Sequence, residues 1–203
     1  VAIDASIAVD ACYANLRAAG SVSVIQADCF SLPFRRGAFP FVYCLGVLQH
    51  TPDPQTAFAA IAEMVAPGGR LCVDVYERSW KTWVHPKYWL RPLTTRLDRD
   101  RLFRLLVAVV PSLRRVSSQV GRVPLIGKAL RRLIPVANYE GVYPLGPEQL
   151  DEWALLDTFD WLSPRYDRPQ TAAVLRAWFE KARFEDIEIA RAGHLVGRGR
   201  RPA

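Results

Sequence analysis

The chain has 203 residues, 50% of them apolar and 23% charged, a composition that excludes a disordered segment and suits a well-buried domain. No uninterrupted apolar stretch approaches the roughly 20 residues of a spanning helix and no signal-peptide pattern opens the chain, so a soluble, cytoplasmic protein is expected. The formal charge of +7 is concentrated: Arg96 to Arg132 holds ten basic residues against Asp98 and Asp100, a net +8 that leaves −1 for the remainder.

Val1 to Ile3 predicts a strand ending at Asp4, and Ser6 is placed to cap a helix with Ile7, Cys12 and Leu16 on one side, stopped by Gly20. Val22 to Ile25 reads as a second strand that ends at Asp28. Phe41 to Leu45 is a near-continuous apolar run, the pattern of a parallel strand covered on both faces. Gln49 to Pro54 breaks that run, and Ala57, Ile61 and Met64 restart apolar character at helical spacing. Gly68 and Gly69 are expected to stop the helix and turn the chain into a further strand, Leu71 to Tyr76. The alternation predicts an α/β protein with a doubly wound parallel sheet, whose ligands lie beyond the carboxyl ends of the strands. His50 and Tyr76 then face one crevice.

From residue 79 to about 169 the pattern changes. Trp80, Trp83, Tyr88 and Trp89 crowd together, and prolines punctuate helical stretches at Leu102 to Val110 and Ile126 to Leu133. This is too long for a connection and too irregular for another β/α repeat, so an inserted helical lid is expected. Thr171 to Ala182 predicts an amphipathic helix, and Phe184 to Ala190 with His194 to Gly197 an antiparallel strand pair turning at Ala192 and Gly193. The predicted organisation is residues 1–78 as a partial Rossmann-like core, 79–169 as the lid, and 170–203 completing the core.

Three strand ends carry polar groups. Asp4 offers two acceptor oxygens to adjacent donors such as ribose hydroxyls, or else caps the helix after it. Asp28 accepts from an exocyclic amine, or else serves as a turn residue. His50 is either a general base or a histidine that shapes its loop. Cys12, Cys29, Cys44 and Cys72 are widely spaced in apolar surroundings, as small core residues rather than metal ligands, and no metal is expected.

VAIDAS, QADCFSLPF, FVYCLGVLQHTPDP and APGGRLCVDVY, in that order and spacing, resemble the successive motifs of class I S-adenosylmethionine-dependent methyltransferases of the methyltransferase-11 type. KYWLRPLTTRL, NYEGVYPLGPEQL and EWALLDTFDWLSPRYDRPQT extend the resemblance through the lid. It implies a Rossmann-like methyltransferase sheet with a terminal antiparallel hairpin, and S-adenosylmethionine as cofactor. Asp4 matches the ribose-binding acid, with Ala5 and Ser6 beside the adenosine; Asp28, Cys29 and Phe30 match the adenine contacts; Leu45 matches the position near the methionine moiety; His50 matches a histidine beside the reacting methyl group. The family's opening strand and glycine-rich loop have no counterpart in this sequence. An amino-terminally truncated methyltransferase, inactive as given, is therefore expected.

The implied reaction is methyl transfer to a small-molecule or glycan-type acceptor through oxygen, with Tyr76, Tyr139, Glu140 and Tyr143 as acceptor-side residues. The lid aromatics, Trp161 and Tyr166 among them, read more readily as core than as contact residues. The Arg96 to Arg132 stretch interleaves its charges with Leu, Val and Ile, which is either a solvated helix face or a peripheral contact with anionic membrane. Nucleic acid is disfavoured because no RNA-binding motif accompanies the charge. The alternative from another class is a non-catalytic basic module on a methyltransferase-like scaffold, binding lipid or nucleic acid.

Overall fold

The computed structural model describes residues 1–203, with the side chains of Ala19, Lys81 and Trp83 outside the description. The chain forms two compact units, Val1–Glu77 with Tyr166–Ala203, and Arg78–Arg165.

The first unit begins with β1 (Ala2–Asp4), α1 (Ala8–Leu16) and β2 (Val24–Gln26). Ser6 lies one residue before the helical cap position, where its hydroxyl accepts from the Ala8 amide at 3.1 Å. Gly20 ends the helical segment at φ +67°, a conformation that costs glycine nothing. β3 (Phe39–Cys44), α2 (Pro54–Glu63) and β4 (Val65–Val75) follow. Asp53 caps α2, accepting from the amides of Gln55 and Thr56 at 3.1 Å each. β4 starts well before Leu71, because Phe39 already pairs with Val65. Gly68, at φ +74°, and Gly69 thus lie inside the strand rather than at a helix end. A Cβ on Gly69 would meet the carbonyl oxygens of Ala66 and Pro40 at 2.8 Å, so these glycines serve packing.

After the second unit the chain returns through α8 (Ala172–Lys181), β5 (Glu185–Ala192) and β6 (His194–Arg200). The order in the larger sheet is β3-β4-β6-β5, with β3 parallel to β4 and the other two ladders antiparallel. α2 and α8 bury one face around Phe58, Leu71, Val73, Phe179 and Leu195. Gly197 and Gly199 leave room for the Phe179 ring, which an added Cβ would meet at 2.6 and 2.9 Å. The opposite face departs from the expected two-sided cover: Phe41 and Tyr43 are 56% and 68% exposed. β1 pairs in parallel with β2 in a separate ladder, and no described strand joins β1 to β3.

The second unit is helical: α3 (Trp80–Val84), α4 (Pro86–Thr94), α5 (Arg99–Gly121), α6 (Gly127–Arg131) and α7 (Pro147–Leu162). α5 runs far past the predicted Leu102 to Val110, from an Asp98 cap that accepts from the amides of Asp100 and Arg101. Leu102, Leu106 and Val110 of α5 meet Ala154 and Leu162 of α7 in a core of their own. Among the described residues no helix is long and apolar enough to cross a membrane.

The return to the first unit falls at Tyr166, four residues before the predicted 170. Segment 166–170 is tied there by three backbone groups: the Tyr166 carbonyl accepts from His50, Arg168 N–H donates to Gln49, and Gln170 N–H donates to Tyr76.

Candidate active site

Asp4 and Asp28 stand at the carboxyl ends of two adjacent parallel strands, since Asp4 pairs with Gln26. Asp4 Oδ1 accepts from both the amide and the hydroxyl of Ser6 at 2.7 Å. Its Oδ2 has no partner among the described residues and lies on the exposed surface, where it is open to a donor. The carbonyl of Ala5 accepts from Gln26 Nε2 at 3.2 Å. Both the capping and the ribose readings of Asp4 survive here, because the two oxygens are independent acceptors.

Asp28 Oδ1 accepts from Phe30 N–H at 2.9 Å, and the Asp28 carbonyl accepts from Ser31 N–H at 2.9 Å, closing a turn. Burial, then the charge of Asp28 and a hydrogen bond to it, push the Cys29 thiol up to about 11. Cys29, Phe30 and Cys44 all pack against the core of the larger sheet. The Cys44 thiol is pushed up to about 12, by burial first and then by Cys29 and Asp74. Packing of Cys29 and Cys44 against the same core sets the turn after β2 and the end of β3 on one cluster.

Leu45 follows β3 directly and is exposed. Gly46 then takes φ +73°, and its N–H donates to Asp74 Oδ1 at 2.6 Å. Asp74, a charge inside the apolar strand LCVDV, was not singled out from sequence; its position one residue past Val73, the partner of Cys44, is the signal that marks it. It fixes the loop that delivers a one-turn 3-10 helix, Leu48–His50.

Leu48 and Gln49 are wholly buried in that turn. The Thr51 hydroxyl donates to the Leu48 carbonyl at 2.8 Å, and Arg168 N–H donates to the Gln49 carbonyl at 2.8 Å. The Gln49 side-chain amide, both Nε2 and Oε1, has no hydrogen-bond partner among the described residues. His50 Nδ1 lies 3.0 Å from the Tyr166 carbonyl oxygen. A carbonyl only accepts, so Nδ1 carries the proton and Nε2 of the neutral ring is left as the acceptor.

Tyr76 meets two imidazoles, His50 edge-on at a centroid distance of 5.4 Å and His194 at 5.0 Å. His194, the first residue of β6, is thereby placed beside the same ring. Glu77 holds Arg191 through bonds of 2.6 to 3.0 Å next to it. Among the described residues no cluster of His, Cys, Asp and Glu is arranged to hold a metal.

The remaining acceptor-side candidates lie in the second unit. Tyr139 donates its hydroxyl to Asp157, and Tyr143 stacks on Trp153 at 5.1 Å and an interplanar angle of 4°. Glu140 accepts from the Ser118 hydroxyl and from Arg122 at 2.9 Å, with Arg114 at 3.7 Å. Ser118 and then Arg122 hold its carboxyl below the ordinary range. Glu140 is thus engaged by its own unit, and within the first unit Tyr76 stands beside His50.

Residues 1–73 match the family profile described as a methyltransferase domain. The ubiquinone biosynthesis O-methyltransferases of Cronobacter sakazakii and Escherichia coli are 38% identical to this chain over 48 residues, 24% of this chain and 20% of each relative. The chain thus spans about a fifth of the length of these curated relatives. A possible exported protein from Bordetella parapertussis superimposes with a TM-score of 0.53 at 17% identity, covering 99% of this chain and 52% of that one. An O-methyltransferase family protein from Burkholderia thailandensis gives 0.52 at 11% identity, covering 99% and 43%. At such identities the likeness is one of fold, and it is that of the α/β methyltransferase sheet. By the match over its first 73 residues the chain is similar to methyltransferase domains, and its fold is the Rossmann-like methyltransferase fold.

Proposed function

We propose that the protein to which this chain belongs performs S-adenosylmethionine-dependent methyl transfer to the oxygen of a small-molecule or glycan-type acceptor, with His50 as general base. The observation that carries the proposal is the Nδ1 hydrogen bond of His50 to Tyr166, which leaves Nε2 as a proton acceptor at the carboxyl end of β3. The cofactor, when bound, supplies a sulfonium methyl group, already a good electrophile.

The residues present fit the adenosine part of that group. Asp4 Oδ2 is an open acceptor for ribose hydroxyls, with Ala5 and Ser6 at its side. Cys29 and Phe30 of the Asp28 turn would hold the adenine, and Leu45 the methionine moiety. The orphaned Gln49 amide is a buried polar group beside His50, of the kind that native proteins satisfy with a partner. Near it, His50 Nε2 would take the proton of the acceptor hydroxyl as the methyl group passes from sulfur to oxygen and S-adenosylhomocysteine is left, and Tyr76 packs edge-on against the imidazole. The DNA and RNA base methyltransferase motif and the carboxylates of metal-assisted enzymes have no counterpart around CLGVLQH.

The partners in this proposal are the acceptor and, through the basic stretch Arg96 to Arg132, an anionic membrane surface. The ubiquinone-pathway relatives support oxygen as the methylated atom. Calorimetry of the full-length parent with S-adenosylhomocysteine, and its methyl transfer to a panel of hydroxylated acceptors, test the reading. Binding that is lost in Asp4→Ala supports it; absence of binding and of transfer rejects it in favour of a non-catalytic basic module.

A further inference from the structure

The link between α5 and α6 displays a leucine where a globular protein normally hides one. Leu125 is 103% exposed and has φ +67°, in the left-handed region that side chains other than Gly, Asn and Asp adopt at a cost. The Ile126 amide donates to the Pro124 carbonyl at 2.8 Å, closing a γ-turn around Leu125, the strained form of that turn. The tip is held in place at Gly127, where an added Cβ would lie 2.4 Å from the Val120 carbonyl oxygen. Val123 and Ile126 are also exposed, as are Leu130 and Leu133 one turn on. An apolar tip of this kind marks an interaction site.

Its electrostatic surroundings are one-sided. Between Asp100 and Glu140 the sequence contains no carboxylate. Arg115, Arg122, Lys128 and Arg132 are exposed around the tip. Arg122 pairs with Glu140 at 2.9 Å, whereas Lys128 and Arg132 have no ion pair among the described residues. A nucleic-acid backbone would satisfy the cations but leave Leu125 and Ile126 in water. An anionic bilayer takes both, since apolar side chains enter the acyl boundary while basic ones stay at the phosphates.

We infer that the Val123–Ile126 tip inserts into the interfacial layer of an anionic phospholipid membrane, with Lys128 and Arg132 against the headgroup phosphates. This rests on the membrane reading of the basic stretch and adds the residues that insert. Such docking would bring the domain to a lipid-borne or membrane-dissolved acceptor.

The test is flotation of the full chain with phosphatidylcholine vesicles, with and without phosphatidylglycerol, for wild type, Leu125→Asn and Lys128→Gln/Arg132→Gln. Asparagine tolerates the left-handed conformation, so L125N should keep or raise the thermal midpoint. Wild type is expected to float with the phosphatidylglycerol vesicles only, L125N to lose about tenfold in partitioning, and the double variant to lose the salt-sensitive part. Equal partitioning of L125N and wild type overturns the inserted tip while the membrane reading stands. Wild type that ignores both vesicles overturns the two together, and so does tight binding to an RNA oligonucleotide without flotation.

Discussion

His50 Nδ1 and the Tyr166 carbonyl oxygen lie 3.0 Å apart although 116 residues separate them in the chain. The bond gives the imidazole one orientation and one tautomer, and it joins the loop after β3 to the segment that re-enters the first unit. His50→Asn keeps a donor near the Nδ1 position and removes Nε2. It should retain the thermal midpoint and cofactor affinity while turnover on a hydroxyl acceptor falls by about 10²- to 10⁴-fold. Loss of turnover in proportion to loss of folded protein would instead assign His50 to loop shape.

The Asp74 carboxylate holds the Gly46 amide at 2.6 Å, at a residue with φ +73°. Asp74→Ala should cost about 1 kcal/mol in urea unfolding and lower turnover without moving the adenosine contacts. Asp74→Asn, which keeps an acceptor oxygen, should restore most of both.

The buried Gln49 amide makes opposing demands on stability and binding. Gln49→Leu removes two unsatisfied polar atoms and should stabilise the chain by about 1–2 kcal/mol. The same variant should weaken binding of S-adenosylmethionine or acceptor, read by calorimetry. Unchanged binding would remove Gln49 from the site.

Glu140 tests the electrostatics of the helical unit. Its carboxyl is held below the ordinary value of 4.5 by Ser118 and then Arg122. The contribution is therefore present above pH 4.5 and is lost as pH falls through the lower folded value. Glu140→Gln should cost about 1 kcal/mol at neutral pH, a small figure because the group is partly solvated, and should flatten the acid limb of the thermal-midpoint profile. It also leaves the buried Arg114 with Asp151 as its remaining carboxylate partner.

The thiols predict the alkaline limb. Cys29 and Cys44 titrate near 11 and 12 in the fold against an ordinary 9.0. Above pH 9 the unfolded chain binds fewer of these protons than the folded one, so stability falls as pH rises from 9 toward 12. Cys44→Ala should reduce that slope, and at mildly alkaline pH Cys29 and Cys44 should react with iodoacetamide more slowly in the native protein than after unfolding.

Periodicity located most elements because it reports which face meets a core. Phe41 to Cys44, the α2 stripe of Ala57 and Ile61, and the pair of strands around Gly193 were legible for that reason, as were the strand-end residues Asp4, Asp28 and His50. α7 was not read from periodicity, because its buried positions include Ala154 and Thr158, which carry little hydropathic signal. The early start of β4 was hidden by Pro67, Gly68 and Gly69, residues that read as a turn until the pairing of Phe39 with Val65 is known.

By itself the sequence determined the alternation of strands and helices, the family resemblance, and the residue types at the strand ends. Only the tertiary structure decided which of those groups are already engaged. Glu140 is tied to Ser118 and Arg122, one Asp4 oxygen and the buried Gln49 amide have no hydrogen-bond partner among the described residues, and the His50 tautomer is set by a carbonyl 116 residues away. The reason is physical: hydrophobic period is a local property of the chain, whereas hydrogen-bond satisfaction depends on backbone groups brought in from distant segments.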